Sequence, residues 1–121
     1  MSRVKIKGDQ LVITMKGARK FFALKSEVAI SLQNITGVTI GLDWKDLPKP
    51  LEKIAGSNLY SFYFGGYFSQ KGKKVFYDLR KKEDAVVISL KNENFNTLVI
   101  GVDDPQATVE LIEQALNEKK S

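Results

Sequence analysis

The chain has 121 residues, a formal net charge of +5, and neither cysteine nor histidine. That length suits one domain spanning residues 1–121, and 43% apolar with 27% charged residues is the make-up of a folded globule, not of a disordered or fibrous chain. The missing cysteines exclude disulfides, thiolate nucleophiles and iron–sulfur ligation, and the missing histidines exclude classical zinc sites and Ser-His-Asp or Cys-His catalysis.

Met1–Lys7 alternates charge with aliphatics and has no continuous apolar core, so it does not read as a secretory leader. No run approaches the ~18–20 apolar residues that span a bilayer, and the expected location is the cytoplasm. Val4 and Ile6 alternate with Arg3, Lys5 and Lys7, Gly8-Asp9 supplies a turn, and Leu11–Met15 is β-branched and apolar. Together these read as a hairpin. Gly17–Leu24 loses the alternation, and Ala18, Phe21, Phe22 and Lys25 fall at helical spacings, which suggests a short helix or an irregular crossing. Alternation resumes at Val28, Ile30 and Leu32 and again at Val38, Ile40 and Leu42, giving two further strands.

Asp43–Asn58 reads differently. Pro48 and Pro50 bracket Lys49, Gly56-Ser57-Asn58 follows, and Leu51–Ala55 has the length of one helical turn. A long surface connection between two sheets is expected here, with Trp44 as its anchor. Tyr60–Ser69, Lys74–Arg80, Ala85–Leu90 and Thr97–Val102 then read as strands joined by short polar loops, an antiparallel meander. Asp103-Asp104-Pro105 places a carboxylate cap before a proline at the first helical position. Thr108, Val109, Ile112, Ala115 and Leu116 recur at helical spacing, so an amphipathic helix is expected over about residues 105–118.

Seven to eight short antiparallel strands over residues 3–102 followed by one helix imply two packed sheets with the helix plugging an open end. Three stretches resemble the small bacterial pleckstrin-homology-like (PH-like) domains: Phe22–Val38, Gly65-Gly66-Tyr67-Phe68 through Val75-Phe76-Tyr77, and Leu98–Pro105. The resemblance covers nearly the whole chain. It implies a mainly β, two-sheet antiparallel sandwich or partly open barrel capped by a C-terminal α-helix. Two departures stand out. Ser31 occupies a position where many relatives carry proline, and Leu111 and Ile112 stand where eukaryotic members bury a tryptophan.

Candidate functional residues fall into two groups. Eight of the twelve aromatics lie between Tyr60 and Tyr77, and Tyr63, Tyr67, Phe68 and Tyr77 are the candidate interaction surface for a protein partner or a second copy of the chain. Core and cross-strand packing is the ordinary alternative. Gly65-Gly66 within this run suggests a bulge or a close backbone approach. Lys5, Lys7, Lys16, Arg19 and Lys20 form a candidate anionic-ligand region. Eukaryotic pleckstrin-homology domains grip phosphoinositide headgroups with a basic first loop, so the resemblance implies acidic lipid at a membrane surface. Strand lysines also guard sheet edges, which is the competing account.

Aromatics interleaved with lysines in Phe68–Tyr77 suit base stacking, but no RNA-recognition or OB-fold signature accompanies them, and nucleic acid is not an expected partner. Asp43 and Asp46 flank Trp44, while Asp103-Asp104 is explained by helix capping. No nucleophile–base set can be assembled. The expectation is a non-catalytic interaction module with no cofactor and no metal.

Overall fold

The computed structural model describes residues 2–15, 27–41, 53–58, 63–70, 72–80 and 84–120. Gly8 adopts φ +62°, a left-handed conformation open to glycine at little cost, and it turns β1 (Ser2–Lys7) tightly into β2 (Gln10–Met15). Their register runs from Lys7↔Gln10 to Ser2↔Met15, the hairpin read from the sequence. Strand β3 (Glu27–Ser31) pairs antiparallel with β2, with Val28 and Ile30 buried and Glu27 and Ala29 exposed. The intervening stretch expected as a short helix or crossing at Gly17–Leu24 lies outside the described residues, as does Trp44.

A 3-10 helix, Leu32–Asn34, carries the chain into a second sheet. The Leu32 N–H donates to the Asp9 carbonyl at 2.9 Å, and the Lys91 N–H donates to the Asn34 carbonyl at 2.8 Å, so a loop of each sheet fixes this link. The strands of the second sheet are β4 (Ile35–Ile40), β5 (Lys53–Asn58), β6 (Tyr63–Gln70), β7 (Lys73–Arg80), β8 (Asp84–Leu90) and β9 (Thr97–Val102). They lie in the order β4-β8-β9-β7-β6-β5.

This order corrects the expected meander. Strand β8 pairs with β4 and β9, and β9 lies parallel to β7 with Val75↔Thr97 through Asp78↔Ile100 in register. A parallel crossover needs about a dozen residues, and residues 81–96, with β8 among them, supply that length. Strands β7 and β8 therefore do not form a hairpin, because β9 lies between them.

Asp43–Asn58 is corrected as well. Its last six residues form β5, paired with β6, and no helical turn covers Lys53–Ala55. The change of sheet occurs at Leu32–Asn34, well before that stretch. With β5 included, the described residues hold nine strands, above the expected seven to eight. The register runs unbroken through Gly65-Gly66, so no bulge sits there, and the irregularity in the β5–β6 pair falls between Lys53 and Ala55.

The helix α1 (Pro105–Lys120) starts where the sequence places it. The Ala107 N–H donates to Asp104 Oδ1 at 3.0 Å, and the Thr108 N–H and hydroxyl both donate to the Asp104 carbonyl, at 3.0 and 2.9 Å. The Asp104 side chain thus satisfies one of the donors that a helix start leaves open, while its carbonyl accepts the first bond of the helix. Val109, Ile112 and Ala115 are buried, while Glu110, Glu113, Gln114 and Glu118 are exposed. The helix packs on β1, β4, β8 and the 3-10 helix, bridging the β1 edge of one sheet and the β4 edge of the other.

The core collects the inward faces of both sheets and of α1: Leu11 and Ile13, Val28 and Ile30, Val86 and Ile88, Leu98 and Ile100, and Ile112. Burying each such aliphatic contributes about 1.5–3 kcal/mol. A second buried cluster, Phe68, Val75, Tyr77, Leu79, Ala85 and Val99, uses the alternate residues of the same strands and so lies on the opposite face of the six-stranded sheet. Its central strands are therefore buried on both faces. The protein is mainly β, with two sheets, one C-terminal helix and no closed barrel among the described residues.

Candidate functional site

Strand alternation decides where the basic hairpin points. In β1, Val4 and Ile6 are half-buried and pack against the core, so Arg3, Lys5 and Lys7 must take the other face, where all three are exposed. Register sets them in rows across the small sheet: Arg3–Thr14–Glu27, Lys5–Val12–Ala29 and Lys7–Gln10–Ser31. The result is a line of cations along an edge strand, with Arg3 extending the pair Lys5 and Lys7 that the sequence singled out. Its signal was the same period of two. Lys16, Arg19 and Lys20, the remaining members of the candidate anionic-ligand region, lie outside the described residues.

The aromatic candidates separate. Phe68 and Tyr77 have 0% and 2% of their surface exposed and pack edge-on, with ring centroids 5.4 Å apart. Neither offers its ring to a partner, which corrects their assignment to an interaction surface. The reason is the double burial of the central strands. A side chain turned away from the main core still lands in a second apolar cluster. Tyr67 is half-buried on the main-core side, in a triangle with Phe76 and Phe95 at centroid separations of 5.0, 5.8 and 5.9 Å. The Lys74 ammonium sits 4.5 Å from the Tyr67 ring centroid. Tyr67 is thus a structural corner, joined to a cation by its π-face. The backbone of Tyr63 opens β6 opposite Arg80, and its side chain lies outside the described set.

Around this corner, connections of both sheets meet. The Asn34 Nδ2 donates to Glu93 Oε2 at 2.8 Å, tying the 3-10 helix to the β8–β9 loop across 59 residues of sequence. Asn92 in that loop has φ +56°, a left-handed conformation that asparagine tolerates better than most residues.

Two further surfaces were not singled out by the sequence. Strand β4, Ile-Thr-Gly-Val-Thr-Ile, ends the six-stranded sheet without a charged residue, and Thr36, Thr39 and Ile40 are exposed, Ile40 at 46%. The outer side of α1 bears a shallow open depression lined by Glu110, Glu113, Gln114, Asn117 and Glu118. A third feature lies inside. Asp78 is fully buried in the row Ile40–Val86–Ile100–Asp78–Gly65–Ser57, on the main-core face of its sheet, and has a polar interaction there.

Among the described residues no cluster of three or more acidic side chains is placed to hold a metal ion, and no helix is long and apolar enough to cross a membrane. A scan against protein-family models matches none, and searches of curated proteins and of solved structures return no match.

Proposed function

We propose that the protein is a non-catalytic, PH-like interaction module that takes a protein partner as an added strand along the β4 edge. The observation that carries this reading is the contrast between edges. β1 carries Arg3, Lys5 and Lys7, charges that discourage strand addition, whereas β4 carries none and exposes Thr36, Thr39 and Ile40. An added strand would gain main-chain hydrogen bonds from the edge and take specificity from alternate side-chain positions. Two sheets with a shared core and a C-terminal helix bridging them support the PH-like architecture. The parallel β7–β9 pair is where the chain departs from an all-antiparallel plan.

The test is capture from cell extract with the wild-type chain and with Thr39→Lys/Ile40→Lys, followed by amide hydrogen exchange with the captured partner. Both substituted side chains are exposed, so the fold is retained. The reading expects the double variant to lose the partner and the β4 amides to slow on binding. A partner held equally by the variant, with β4 amides unchanged, overturns it.

A further inference from the structure

We draw no further inference here: the strongest candidate, the uncharged strip of β4 around Gly37, whose missing side chain opens onto empty space beside the exposed Thr39 and Ile40, belongs to the edge already described, and nothing in the structure shows what covers it.

Discussion

Lys74 and Asn96 hold each other twice: the Lys74 N–H donates to Asn96 Oδ1 at 2.9 Å, and the Asn96 N–H donates to the Lys74 carbonyl at 2.7 Å. The next pair along is Val75↔Thr97, the first of the parallel β7–β9 ladder. Asn96 also gives its carbonyl to the Leu90 N–H at 2.9 Å. One loop residue therefore joins the start of β7, the end of β8 and the start of β9, where the strand order departs from sequence order.

Asn96→Ala removes the acceptor for the Lys74 N–H. This hydrogen bond is exposed, and its loss should cost about 1 kcal/mol in chemical denaturation, or about 3–5 °C in Tm, with an unchanged denaturant slope. Asn96→Asp keeps an acceptor at the same place and should recover most of the loss. An alanine variant as stable as wild type would mean that the backbone pairs alone set this corner.

The first hairpin and the helix are legible in the sequence because local chemistry decides them. Gly8 must sit near φ +62°, and Asp104-Pro105 caps and starts α1. Strand β5 is not legible, since Gly56, Ser57 and Asn58 have poor strand propensity and are held in the sheet by pairing with Phe64, Gly65 and Gly66. The central position of β9 has a signal in the sequence. Val75–Tyr77 and Leu98–Ile100 are continuous apolar runs, the mark of strands buried on both faces. Tyr77 lies in one of these runs, and its burial on the second face follows from that pattern. Of the basic region, β1 alternation was enough to place Lys5 and Lys7 outward, and it carried Arg3 with them.

The cap is worth a separate measurement. Asp104→Ala removes the side-chain acceptor that holds the Ala107 N–H, and should lower stability by about 1 kcal/mol. Asp104→Ser, with a hydroxyl acceptor in the same place, should return most of it. Equal losses in both variants would show that the carboxylate's charge near the helix start matters more than the hydrogen bond.

The helix also supplies a paired test of what α1 does for the core. Ile112 is fully buried on the core side of the helix, whereas its neighbour Leu111 is 39% exposed. Ile112→Ala should cost about 2–5 kcal/mol by lost burial and an unfilled cavity, and Leu111→Ala within about 0.5 kcal/mol. Comparable losses at the two positions would contradict the packing of the helix on β1, β4 and β8.

Asp78 is the sharpest test of the interior. Its neighbours in the same row are Ile100 on one side, at 0% exposure, and Gly65 on the other. A carboxylate is buried at high cost unless polar partners compensate, and Asp78 has such an interaction. Removing it strands the partner, so Asp78→Ala should cost about 2–4 kcal/mol although it deletes a buried polar group. Asp78→Asn keeps the shape and one acceptor and discards the charge. A loss close to alanine's would mean the partner answers the charge, and a loss below about 1 kcal/mol would mean the hydrogen bond suffices. An Asp78→Ala variant as stable as wild type would remove the buried carboxylate from any account of how the six-stranded sheet is held.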